Sequence, residues 1–148
     1  MPDIRLHHLP LRLVTGAFIL ETGISKWQAP DELAQRLHGF ATGTYPFLKR
    51  IPPGRFAKIL AGSEIGLGTA LLLPFVPAGS AGAALTAFSG ALLGLYLKTP
   101  GMRQPRSLRP TQQGTPLAKD VWMAGIGAAL IIDSLARGPE PKKQASAK

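Results

Sequence analysis

From Ala78 to Leu97 the chain reads AGSAGAALTAFSGALLGLYL, twenty residues without a charge. About 20 apolar residues at roughly 1.5 Å each cross a hydrocarbon core of about 30 Å. Immediately before it, Ile59 to Val76 is broken only by Glu64. One such stretch alone would also suit the buried helix of a soluble protein. Two in succession, joined by the short Pro74–Pro77 turn, read as a transmembrane hairpin.

Two further stretches extend the pattern. Leu9 to Trp27 is apolar apart from Arg12, Glu21 and Lys26, and Trp27 suits an interfacial anchor. Leu117 to Ala136 carries Lys119 and Asp120 at its start and Asp133 near its end. The spans are therefore placed at residues 9–27, 56–76, 78–97 and 117–136. The loop between the first two contains DELAQRLHGF (Asp31–Phe40), whose Leu33, Leu37 and Phe40 share a helical face behind an acidic first turn. The expected fold is all-α, a four-transmembrane-helix bundle with a short amphipathic helix in the first loop. It forms one membrane domain over 1–137, followed by a disordered basic tail over 138–148.

Charge and composition narrow the functional classes. The chain has 17 Lys and Arg against 8 Asp and Glu, with no cysteine. The basic residues cluster in loops and at span ends, which suits lipid headgroups rather than nucleic acid. The missing cysteines exclude disulfides, thiolate catalysis and cysteine-ligated clusters. Four spans put both termini on one side. Eleven of the basic residues fall on the side of loops 1 and 3, from Lys26 to Lys119, and six on the terminal side. By the positive-inside rule the count favours cytoplasmic loops, whereas the lysine-rich tail argues for cytoplasmic termini.

Membrane helices associate through small residues, so the GxxxG steps Gly62/Gly66 and Gly90/Gly94 are the expected packing positions, either inside the bundle or at a dimer face. Charged groups at membrane depth face the bundle interior and have partners. Arg12 and Asp133 both lie toward the terminal side and are expected to form a structural ion pair. Glu21 and Glu64 lie at comparable depth toward the opposite side, with Lys26, Lys58, Lys119 and Asp120 near the same boundary. Glu21, Lys26, Glu64, Lys119 and Asp120 are thus expected to converge, with Ser25, Ser63, Tyr45 and His38 nearby. Such a cluster binds a quinone or lipid headgroup, holds a partner subunit or relays protons; the alternative is an ion-pair network that fixes helix register. No metal site is expected, because His7 and His8 are adjacent and point in different directions on a helix. No catalytic residue is assigned, since no phosphate-binding, dinucleotide or serine-nucleophile motif occurs.

The run RLVTGAFILETGISKW (Arg12–Trp27), with Arg12, Gly16, Phe18, Gly23 and Lys26, resembles the opening signature of the DoxX family of small four-helix membrane proteins. AKILAGSEIGLGTALLL, with Glu64 among glycines, resembles that family's second helix, and LAKDVWMAGIGAALIID its last. The resemblance spans about residues 9–136. It implies a multi-pass protein of the bacterial inner (plasma) membrane with cytoplasmic termini. It also implies a role beside thiosulfate–quinone oxidoreductases and other redox complexes. The expected function is that of an accessory subunit of a redox- or quinone-linked membrane complex, hetero-oligomeric and surrounded by lipid, without its own catalytic centre. The alternative is a small transporter or a lipid- or quinone-binding membrane protein. No covalent cofactor is expected, and a quinone or lipid is the expected ligand.

Overall fold

In a computed structural model, described over residues 5–136, proline punctuates the helix starts. Helix α1 spans His8–Trp27, α2 Asp31–Thr44, α3 Pro53–Leu72, α4 Ala78–Lys98, α5 Thr115–Ala118 and α6 Val121–Leu135. A 3-10 turn at Pro46–Arg50 joins α2 to α3. Pro30, Pro52 and Pro77 are the N-caps of α2, α3 and α4. Proline suits these places because its fixed φ fits helix entry and its missing N–H has no partner there. Pro74 also ends α3, since the residue before a proline avoids the helical region. The expected second span, 56–76, is accordingly shifted to 53–72. The proposed basic tail, 138–148, lies outside the described residues.

The described chain is all-helical; the backbone pairing between Arg103 and Pro110 is an isolated bridge rather than a strand. Helices α4 and Thr115–Leu135, at 21 residues each, are long and apolar enough to cross a membrane. Helices α1 and α3 have 20 residues each, but Arg12, Glu21 and Lys26 dilute the first and Arg55, Lys58 and Glu64 the second.

Consecutive helices are not the main packing partners. Helix α3 packs chiefly on α1, and α4 chiefly on α6, so the expected α3–α4 hairpin is a junction between two helix pairs. Each pair closes on glycine, but not on the expected GxxxG steps. A Cβ on Gly68 would stand 2.6 Å from the Leu20 nitrogen, and one on Gly23 would stand 2.9 Å from the Glu64 Cβ. In the other pair, a Cβ on Gly82 would stand 2.7 Å from the Gly127 oxygen. At Gly66 and Gly90 nothing lies within 4 Å, and Gly62 meets only the Trp27 ring at ordinary contact distance. Gly94 of the predicted steps does sit against another residue, the Tyr45 hydroxyl. Within the chain, the GxxxG glycines other than Gly94 therefore do not make the close helix contacts, and the dimer-face alternative concerns contacts between chains.

Ile19, Leu67, Leu71, Ala81, Leu85 and Leu130 form a narrow core between the pairs. Around it the distribution is inverted relative to a water-soluble bundle. Val14, Phe18, Ile59, Trp122, Ile132 and Leu135 face outward, Trp122 at 71% exposure, while Arg12, Glu64, Thr15 and Ser89 are buried.

Helix α2 lies across α3, with Ala34, Ala41 and Thr42 buried and Leu37 and Phe40 partly so. Leu33, expected on the same face, is exposed. The loop before α5 is ordered: Gln104 N–H donates to Arg109 O at 2.9 Å, and Tyr96 Oη donates to Leu108 O at 2.7 Å. Arg106 takes a left-handed conformation at its turn, φ 55°.

Candidate functional site: a charged-headed apolar cavity

Buried positions on α1 recur at 8, 12, 15, 16, 19 and 23, every three or four residues. Lys26, three residues past Gly23, continues that stripe toward α3. On α3 the corresponding stripe is Ala57, Ala61, Glu64, Leu67, Gly68 and Leu71. The two stripes meet where glycine permits it. Gly23 lets the Glu64 Cβ and the Ile65 and Ala61 backbone approach α1, one turn before Lys26. The Lys26 ammonium donates to both Glu64 carboxylate oxygens, at 3.0 and 2.9 Å. Glu64 is 5% exposed, and the Lys26 side chain 27%.

This pair lines a cavity of about 290 Å³ between α1, α2, α3, α4 and the start of α6. Asp120, in the turn between α5 and α6, contributes a third charged group to the wall. The remaining wall is apolar, with Phe18, Phe40, Phe56, Phe88, Leu92 and Met123 prominent. Ala41, Phe56, Leu60, Phe88, Leu92 and Leu95 also line a neighbouring cavity of about 220 Å³ that reaches Tyr45 and Ser63. Two adjoining apolar recesses therefore share a wall, and one of them carries a small group of charged side chains.

Of the five expected binding residues, Lys26, Glu64 and Asp120 come together. Glu21 does not: it is exposed on another face of α1, beside Ser25 and Leu72. Position 21 lies two residues from both Ile19 and Gly23, a rotation of roughly 200° from each. Comparable depth was not enough; the azimuth separates the two carboxylates. Lys119 is exposed and does not line the cavity. His38 is engaged elsewhere, its Nε2 within 3.0 Å of Leu48 O. Tyr45 Oη donates to Ala91 O at 2.8 Å. The four phenylalanines were not assigned from sequence, although Phe18 and Phe40 lie on the segments already singled out.

The expected Arg12–Asp133 pair is replaced by two separate arrangements. Arg12 crosses to the C-terminal end of α3 and the following turn. Its Nε donates to Leu71 O at 2.8 Å, Nη1 to Val76 O at 3.1 Å, and Nη2 to Ala70 O at 3.0 Å and Leu73 O at 2.8 Å. Carbonyls at a helix C-terminus lack intrahelical partners and carry partial negative charge, so a guanidinium satisfies both. Asp133 is held instead by Arg5 Nη1 at 2.6 Å and His8 Nε2 at 3.1 Å, with His7 Nε2 at 3.8 Å. The adjacent histidines thus converge on one carboxylate, because His7 precedes α1 and only His8 lies within it. The His7, His8 and Asp133 ligand-type atoms lie within 4.8 Å of one another, with the Arg5 cation already on the carboxylate. A similar capping role falls to Lys58, which donates to Trp27 O at the end of α1 and lies 4.8 Å over the Trp27 ring.

Comparison with protein-family models, with curated proteins and with solved structures gives no match for this chain.

Proposed function

We propose that this chain is a small integral membrane protein of four spans, α1, α3, α4 and Thr115–Leu135, that binds a small amphiphile in the cavity lined by Lys26, Glu64 and Asp120. The observation that carries this is the inverted distribution of side chains. Large apolar groups are exposed on the outside, while Arg12 and Glu64 are buried and the Lys26 partner of Glu64 is partly so. Apolar side chains cost nothing against lipid tails, whereas internal charges require partners at membrane depth. A recess with apolar walls and a few polar groups among them fits a ligand with an apolar body and a polar group. Both termini are placed in the cytoplasm, which sets Lys26 and Asp120 toward the opposite face.

The DoxX-like motifs favour a second reading, an accessory subunit of a redox complex with a quinone as the ligand. The wide apolar face around Trp122, Ile132 and Leu135 gives such a partner a surface to cover. Affinity purification of the tagged chain from native membranes in mild detergent, with mass spectrometry of proteins and small molecules, separates the two. A lone protein carrying a stoichiometric lipophilic molecule supports the ligand-binding reading. Stoichiometric oxidoreductase subunits support the accessory role. Quantitative release by carbonate wash overturns the integral-membrane reading itself.

A further inference from the structure

The charges lining the cavity do not balance. The Lys26 ammonium is committed to Glu64, lying 3.0 and 2.9 Å from its two carboxylate oxygens, so this pair is internally neutral. Asp120 remains. Its carboxylate has no hydrogen bond within 3.5 Å and no ion pair within 4.0 Å among the described residues, although it lines the same cavity. It does not cap α6 either, being the N-cap residue without a side-chain cap bond. Its chain neighbour Lys119 is exposed and does not line the cavity, although its charge acts favourably on Asp120 from outside the lining. The recess therefore carries one carboxylate more than it has ammonium groups.

The walls add four aromatic side chains, of which Phe18 is also 63% exposed to the outside. Phe18, Phe40, Phe56 and Phe88 all line the recess. The faces of aromatic rings attract cations electrostatically, and the attraction strengthens as water is excluded. An anionic headgroup would meet two carboxylates against one ammonium that is already paired. A neutral headgroup would offer the Asp120 carboxylate no partner within the cavity, where Lys26 and Lys119 act on it only at a distance. A hydrophobic cation satisfies the carboxylate, and its apolar body matches the aromatic and aliphatic walls.

Taking the cavity as the ligand site proposed above, we infer that its ligand is a hydrophobic monovalent organic cation. Its charge sits against Asp120 and its apolar body among the four phenylalanines. The Lys26–Glu64 pair is then a positioning element that holds α1 on α3 beside the cavity.

Met123 lines the cavity and Met102 does not, so the Met123 methyl resonance, assigned by its loss in Met123→Leu, reports occupancy at this site. The protein is labelled with 13C-methyl methionine and placed in lipid nanodiscs. It is titrated with phenyltrimethylammonium and, separately, with tert-butylbenzene, which has the same shape without the charge. The expected result is a saturable shift of the Met123 resonance, with the cation bound about tenfold or more tightly than the neutral isostere. Asp120→Asn is expected to remove that preference and leave the affinity for tert-butylbenzene unchanged; Lys119→Gln is expected not to weaken the cation. Equal affinities in the unsubstituted protein overturn the cationic ligand while leaving the cavity as a binding site. That comparison stands even if Asp120→Asn does not fold. Failure of both compounds to move Met123 at saturation overturns the cavity as a ligand site and the inference with it.

Discussion

Arg12 shows how one side chain fixes a helix end. Its guanidinium supplies bonds to four carbonyls at the close of α3 and in the turn that leads to α4. Each bond from a charged donor contributes more than a neutral one, and removal leaves buried carbonyls without partners. Arg12→Gln is expected to lower stability by about 3 kcal/mol, read from SDS-titration unfolding followed by circular dichroism; a loss below about 1 kcal/mol would refute the capping role. The Lys26–Glu64 pair makes a different prediction. Replacing Glu64 alone by Leu strands an ammonium inside, whereas Lys26→Met with Glu64→Leu removes both charges. The double variant is therefore expected to be the more stable of the two by about 2 kcal/mol in the same titration, after allowance for the partial exposure of Lys26. Much of this was legible in residue spacing. The stripe through His8, Arg12, Ile19 and Gly23 already assigns Lys26 inward and Glu21 outward. Reading depth alone grouped Glu21 with Glu64, because depth follows the rise per residue and ignores the rotation per residue. No spacing rule could reveal that Arg12 reaches carbonyls about sixty residues away in sequence rather than a carboxylate.

At the scale of elements, the helices approach through glycine on faces that a local motif does not identify. Gly68 touches the Leu20 backbone and Gly82 touches Gly127, whereas Gly66 and Gly90 have open space. Gly68→Ala must push α1 away from α3, since backbone cannot give as a flexible side chain does. Its expected cost is about 1–3 kcal/mol. Gly66→Ala meets nothing and gains helix propensity, so it is expected to be neutral or stabilising by up to about 1 kcal/mol. Equal effects at the two positions, measured by the same unfolding assay, would contradict the observed faces. The helix boundaries were better determined by sequence. Pro30, Pro52, Pro74 and Pro77 restrict the backbone locally, and local restrictions operate in any tertiary setting.

For the whole molecule, the four-span proposal fixes which loops share a side. The cysteine-free sequence makes single-cysteine labelling direct. With four spans, Gln28→Cys and Gln112→Cys should react with a membrane-impermeant maleimide from one side and Ser80→Cys from the other. Labelling of all three from one side would exclude the four-span arrangement. The sequence by itself determined that the chain is helical, where its helices begin, and that charged residues recur among apolar ones. Those properties follow from apolar runs, from proline and from helical periodicity, all of which act over a few residues. Tertiary structure decided the pairing of α1 with α3 and of α4 with α6, and the choice of glycines that touch. It also brought Lys26, Glu64 and Asp120 to one cavity while leaving Glu21 and Lys119 outside it. Each of these depends on the rotation of one helix against another, and that is set by the fit of complete side-chain surfaces rather than by any short segment.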